Sequence, residues 1–267
     1  KKIDLINILP MLKNMGLYIY DQITSRIGNL NTTAGYIQTF RVSNNKGNVI
    51  RKDDYQQLLG DMMVAIFRGQ SIDDPINELA LAAKLDWRSV NILQLYRNYL
   101  NQIKAPFTRT KVNSCLLKYP QHAKMLIEYF QTKFDPDGSF GSLEYRTQNL
   151  LPQIREKYIN GLAEVKEVAD DTILRKLLNV LECTLRTNFY LEKTDNETFI
   201  SVKIDSKKVD GIPIPTPYRE IFVYDAHVEG VHLRFGPVAR GGIRWSDRPD
   251  DFRTEVLGLV KTQQTKN

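Results

Sequence analysis

The stretch GPVARGGIRWSDRPDDFRTEVLGLVKTQQTKN, residues 236–267, decides how the rest of the chain is read. It opens on a glycine corner, Arg240-Gly241-Gly242-Ile243-Arg244. A helix start follows, Ser246-Asp247-Arg248-Pro249-Asp250-Asp251, where proline suits a first turn and the acids complement the helix dipole. At about 100° per residue, Phe252, Val256 and Leu259 form one stripe, expected to face a core. The same stripe continues to Gln263 and Lys266, so an apolar face turns polar in its last turns. Either those polar residues meet water as the helix leaves the core, or they line a cleft and aim an amide and an ammonium at a ligand. Arg240 and Arg244 offer planar forks of donors that match a carboxylate or phosphate, and Gly241 and Gly242 let a ligand approach the backbone closely. Together these suggest a small anionic substrate, and the spacing alone does not choose among carboxylate, phosphate and RNA.

Upstream, residues 188–235 have a period of two. Phe189–Lys193 and Phe199–Asp205 read as a hairpin, and Arg219–Tyr224 and Val231–Phe235 as further strands. The proline-rich 211–217 segment between them reads as an extended linker. His232 falls on the outer face of its strand, a sheet-surface position; a base role would need a partner the sequence does not offer.

Residues 73–186 read as an interdomain helical bundle. Pro75 opens a first helix ending near Leu85. Asp86 caps a second, Trp87–Ile103, with Val90, Leu93, Tyr96, Leu100 and Ile103 in register for burial. Lys111–Lys118 and Gln121–Phe134 follow, parted by Pro120. Asp135-Pro136-Asp137-Gly138 is a turn. Leu143–Val165 and Asp171–Thr187 are longer helical segments, the former kinked or split by Pro152. Trp87, Tyr96, Tyr99 and Phe107 read as core residues rather than a ligand cage.

Residues 1–72 read as a small unit of order α-β-β-α. A helical stripe runs through Leu5, Ile6, Leu9 and Leu12, with Pro10 requiring that helix to be short or to begin near Asn7. Strands are expected over Leu17–Arg26 and Gly35–Val42 with a turn at Asn29–Thr33, then a helix over Arg51–Arg68 closed by Gly69. This order fits a ferredoxin-like split βαβ unit lacking one outer strand.

Composition sets bounds on function. The chain has 267 residues, 42% hydrophobic and 25% charged, with a formal net charge of +6. These are ordinary values for a globular protein. The basic residues are spread among acids rather than gathered in a patch, so no nucleic-acid partner is expected. No apolar run approaches a membrane span and no signal peptide is visible, so no membrane partner is expected either. Cys115 and Cys183 lie far apart within helical patterns, which reads as buried free thiols in a reducing, cytoplasmic setting. The sequons at Asn31 and Asn196 read as chance. No metal-ligand spacing occurs, and there is no Gly-x-Gly-x-x-Gly after a strand, so no dinucleotide site is expected in this chain.

Residues 228–267, VEGVHLRFGPVARGGIRWSDRPDDFRTEVLGLVKTQQTKN, closely resemble the large NAD-dependent glutamate dehydrogenases of bacteria around the start of their catalytic region. The small hexameric glutamate dehydrogenases carry a similar Lys-Gly-Gly-[Ile/Leu]-Arg, a helix, and a Gln-x-x-Lys. The resemblance is very specific from Arg219 onward, good from Trp87 to Asn188 and weaker before that. It implies an α+β chain: a partial ACT-like (ferredoxin-like) regulatory module over 1–72, a helical domain over 73–186, and the strands and first helix of a substrate-binding domain over 187–267. It implies an oxidoreductase acting on L-glutamate and 2-oxoglutarate, a homo-oligomer at full length, with NAD bound downstream. Carried over by motif, Arg240 and Lys266 would hold substrate carboxylates, Gln263 would hydrogen-bond one of them, and Gly241 and Gly242 would give close backbone approach. Arg240 departs from the lysine of the small enzymes, which leaves open the carboxylate it meets. Arg244 has a structural alternative, pairing with Asp247 or Asp250. The family's catalytic lysine lies beyond Asn267, so the expectation is a fragment that is inactive alone. One other reading stands beside this one, a non-catalytic regulatory or assembly module that binds an amino-acid effector; RNA binding through the Arg-Gly-Gly corner is set aside, because only one such triplet occurs.

Overall fold

The computed structural model describes every residue except 1–3, 29–34, 45, 46, 48, 49, 138, 192–198, 237–240 and 265–267, together with the side chains of 52–54, 263 and 264. The expected turn at 29–33 and both sequons therefore lie outside the described residues. The chain divides into two units, residues 1–90 and 91–267.

The first unit has the expected α-β-β-α order. Helix α1, Leu5–Asn14, buries Ile8, Met11 and Leu12. Pro10 sits inside it, exposed to solvent, so the helix is short rather than displaced toward Asn7. Gly16 (φ +79) ends the turn that follows. Strands β1, Leu17–Ile27, and β2, Gly35–Asn44, form an antiparallel ribbon with a bulge at Ile19/Asp21. Helix α2, Lys52–Phe67, closes on Gly69 (φ +70), whose N–H donates to Ile66 O while Gln70 N–H donates to Ala65 O. Instead of one helix from Pro75 to Leu85, a 3-10 turn, Pro75–Glu78, leads into the single-turn helix α3, Leu79–Ala82. Asp74 caps that turn by accepting from Ile76 N–H at 3.0 Å.

Helix α4, Trp87–Gln102, organises the second unit. Every residue from Asn91 to Leu100 is buried. The apolar register read from sequence is therefore only half of it, because Asn91, Gln94, Arg97 and Asn98 are buried as well. Such groups stay inside only when paired. Arg97 donates to the side-chain oxygens of Asn98 and Asn113, both at 2.9 Å, and Tyr224 OH donates to Gln94.

Helices α5, Arg109–Lys118, and α6, Pro120–Phe134, meet at Pro120, which takes the first position of the latter. After the single turn α7, Leu143–Tyr145, the backbone widens into a π-helical turn, Arg146–Leu150. It tightens again into α8, Leu151–Gly161. Pro152 stands at that change and offers no N–H to the turn before it, which is why the wide turn falls there. Helix α9, Val168–Cys183, is held to α5 by Lys111 and Lys118, which both reach the buried Asp170.

Three expectations are corrected here. Helix α9 ends at Cys183 rather than Thr187, and Thr184–Thr187 is strand β3, paired with β4, Ile200–Ile204. The first strand of the expected hairpin is therefore 184–187, not 189–193; of the latter, Glu192 and Lys193 lie outside the described residues. The leucine spacing carries a helical pattern through this point. Ladder pairing with β4 overrides it, with β-branched Thr184 opposite Ile204. Strands β5, Arg219–Tyr224, and β6, Glu229–Arg234, complete an antiparallel sheet of order β3-β4-β5-β6. The 211–217 segment turns at Gly211 (φ +76) and bends at Ile214 and Pro215 rather than running extended, and it joins two neighbouring strands of this one sheet. Helix α10, Phe252–Gln264, follows. Cys115 and Cys183 are free and buried, and burial pushes their thiols up to about 12 and about 11, leaving them unreactive. Among the described residues no helix is long and apolar enough to cross a membrane.

Candidate functional site

The connection from β6 to α10 carries the glycine corner. Gly241 and Gly242 are exposed, and a Cβ placed on either would meet nothing within 4 Å. Backbone there is open to an approaching group. Beyond them the chain folds back on the first turn of α10, with Glu255 as its anchor. Ser246 Oγ donates to Glu255 at 2.9 Å, Arg248 Nε pairs with it at 2.8 Å and Arg244 Nε at 3.4 Å. The Ser246 hydrogen bond, followed by the two guanidinium groups, holds the Glu255 carboxyl below its ordinary range. Arg244 is thus in a structural pair, as its alternative reading held, but the partner is Glu255 rather than Asp247 or Asp250. Asp247 instead accepts from Trp245 Nε1 at 3.1 Å.

Helix α10 begins at Phe252, later than its acidic run suggested, and the face it buries is not the apolar stripe. Leu259 is 52% exposed, whereas Arg253 is 0% exposed and Leu257 is buried one turn on. Arg253 reaches Glu220 on β5 with Nη2 at 2.8 Å and Nε at 3.2 Å, and Tyr99 OH of α4 donates to the other carboxylate oxygen. Burial pushes the Glu220 carboxyl up, and Arg253 pulls it part of the way back. Phe252 stacks on Phe222 with centroids 6.5 Å apart and planes 6° from parallel, so only the start of the expected stripe packs inward. Hydropathy places arginine outside; a paired arginine reverses that. One signal was available. Glu220, Phe222 and Tyr224 share a face at period two, so an acid among aromatics there demands a cation.

The end of α4 grips the residues just before α10. Gln102 Nε2 donates to Pro249 O at 2.6 Å, and its Oε1 accepts Arg253 N–H at 3.3 Å. Asn101 donates to Asp250 at 3.0 Å and Arg109 pairs with Asp250 at 2.9 Å. Lys104 Nζ donates to Asp250 O at 2.9 Å and pairs with Asp251, holding that carboxyl below its usual range. The acids read as dipole partners are thus spent largely on α4. None of Glu220, Arg253, Gln102 or Lys104 stands out in the motif reading.

Of the five expected substrate contacts, the structure describes Gly241, Gly242 and the backbone of Gln263 in the last turn of α10. Arg240, Lys266 and the Gln263 side chain lie outside the described residues. His232 is an exposed sheet-surface residue, as expected. Among the described residues no group of His, Cys, Asp or Glu side chains could hold a metal ion. Both sheets pair antiparallel throughout, and among the described residues no strand passes through a glycine-rich turn and helix to a parallel neighbour.

Three family models match the chain in succession. Residues 1–55 match the ACT3 domain of glutamate dehydrogenase, 71–136 its helical motif 3, and 157–267 the catalytic domain of bacterial NAD-glutamate dehydrogenase. The chain belongs to the bacterial NAD-glutamate dehydrogenase family. It is 39% identical over 267 residues to the NAD-specific glutamate dehydrogenase of Pseudomonas aeruginosa, an alignment covering 98% of this chain and 16% of that protein. It is 35% identical over 271 residues to the Mycobacterium tuberculosis NAD-specific glutamate dehydrogenase, covering 98% and 16%. Glutamate dehydrogenase 2 of Dictyostelium discoideum is 28% identical over 202 residues, covering 70% and 18%. The chain spans about 16% of the length of the bacterial relatives it matches. Within the family frame the second unit joins two matched regions: α4 lies in the helical-motif match, while the sheet, the glycine corner and α10 lie in the catalytic-domain match. The chain is accordingly α+β, with a partial ACT-like unit, a helical bundle and the opening strands and helix of a catalytic domain.

Proposed function

We propose that this chain is the part of an NAD-dependent glutamate dehydrogenase that opens the substrate-binding domain, with 1–72, 73–186 and 187–267 as its regulatory, helical and catalytic segments. The reaction is the oxidative deamination of L-glutamate: glutamate, water and NAD give 2-oxoglutarate, ammonium, NADH and a proton. The match of 157–267 to the bacterial NAD-glutamate dehydrogenase catalytic domain carries this reading. In it, the carboxylates of L-glutamate or 2-oxoglutarate meet Arg240 and Lys266, Gln263 hydrogen-bonds one of them, and Gly241 and Gly242 admit the substrate to the backbone. Cations of this kind hold a dicarboxylate and fix its α-carbon for reaction. NAD and the catalytic lysine belong to residues outside these 267, and no step of hydride transfer is assigned to this chain. The full-length enzyme is a cytoplasmic homo-oligomer with neither nucleic acid nor membrane as partner.

The test is NADH formation from L-glutamate by the polypeptide of the complete reading frame, wild type beside Lys266→Ala. Activity in the wild type and its loss in the variant is the expected result. A well-folded wild type that makes no NADH from glutamate would sink the reading.

A further inference from the structure

The end of α4 is closed by a backbone conformation its sequence does not favour. Lys104 has φ +59. Its N–H donates to Asn101 O and Ala105 N–H donates to Leu100 O, which places Lys104 at the left-handed position just past the helix. Helix α2 closes with the same pair of bonds, and there the residue is Gly69. A Cβ in this conformation is strained, and glycine escapes that strain.

At the end of α4 the strained place is held by the residue whose ammonium reaches Asp250 O and the Asp251 carboxylate. Two residues earlier, Gln102 is 1% exposed and spends both ends of its amide on Pro249 and Arg253. The attachment of α10 to the core already rests on Arg253 and Glu220. A half-exposed pair such as Lys104–Asp251 adds little to stability. What these contacts add is placement, because they fix where the 249–251 turn stands and so where α10 points.

Resting on the glutamate dehydrogenase reading, we infer that the C-terminal end of α4, through Lys104 and Gln102, positions the glycine corner and α10 for substrate. Lys104 is a positioning residue: it touches no substrate, and it sets the frame on which Gly241, Gly242 and Gln263 stand.

The experiment separates placement from stability. In the full-length protein, Lys104→Gly removes the ammonium and relieves the backbone. Its KM for L-glutamate should rise at least about fivefold, with kcat within about twofold and Tm unchanged or raised. Lys104→Arg, which keeps a cation there, should stay near the wild-type KM. Gln102→Met, nearly the same size but without the amide, should raise KM and also lower Tm. An unchanged KM in Lys104→Gly overturns the inference, as does a KM rise in that same variant matched by a fall in its Tm. A folded wild type that forms no NADH from glutamate overturns the functional reading and this inference with it; an active wild type beside an unaltered Lys104→Gly overturns this inference alone.

Discussion

Arg253 shows how one residue can be invisible in a sequence and decisive in a structure. A helical wheel sets it beside Phe252, and hydropathy assigns it to water. Its burial becomes legible only with Glu220, 33 positions earlier and at an inward position of β5. Removing one partner strands the other. Glu220→Gln should cost about 3 kcal/mol in denaturant unfolding, whereas Glu220→Leu combined with Arg253→Leu should be close to neutral. Equal losses in the single and double variants would contradict the pairing. Lys133 gives a second test at this scale. It donates to Leu181 O at 3.2 Å and Glu182 O at 2.8 Å, at the end of α9, and burial pulls its pKa down to about 8 from 10.5. Between those values the unfolded chain holds a proton that the folded chain has released. Stability should therefore rise as pH climbs from about 8 to about 10.5, and the full penalty applies below 8. Unfolding free energy measured across that range should show the rise in the wild type and lose it in Lys133→Met.

Helix ends were the most legible elements where glycine or proline marked them, and the least legible where neither did. Gly69 follows α2 as the sequence implied, and Pro120 starts α6. Gly69→Ala should lower the stability of the first unit by about 1–2 kcal/mol, read by thermal unfolding, because a Cβ is strained at its φ of +70. Pro152 announced a break in the 143–165 helix, but not that a π turn would make it. That choice depends on how the turn packs, which a local pattern does not encode. The end of α9 was misplaced because Leu177, Leu178, Leu181 and Leu185 keep a helical period past Cys183. The strand is selected by its partner β4, and a partner is not a property of the segment itself. The stripe on α10 failed for the same reason: its buried side is set by what β5 and α4 present to it.

At the scale of the molecule, the order of segments was readable throughout: an α-β-β-α unit, helices, then strands leading to the glycine corner. The family signature in 228–267 identified the chain, and the backbone at Gly241 and Gly242 is open. What the sequence withheld is the dependence of that corner on α4, a helix more than a hundred residues away whose end holds residues 249–251. The paired strands are antiparallel in both sheets, so titrating NAD into these 267 residues alone should give no binding heat. Saturable binding would mean a dinucleotide site of a kind the strand order does not suggest.

The joint between α9 and β3 has a mechanical consequence. Cys183 is the last residue of the helix and Thr184 the first of the strand, with nothing between them. The Thr184 hydroxyl is bonded back to Val180 O at 2.9 Å and lies 3.0 Å from Tyr96 OH of α4. A coupling without an intervening loop carries torque, here into a ladder that opens with a bulge between Thr184 and Arg186. If the helix tilts, the first strand of the sheet must turn with it, and the ladder passes that twist strand by strand to β6, where the chain leaves for its glycines. A loop of even a few residues at that joint would be a swivel; as built, it is a crank.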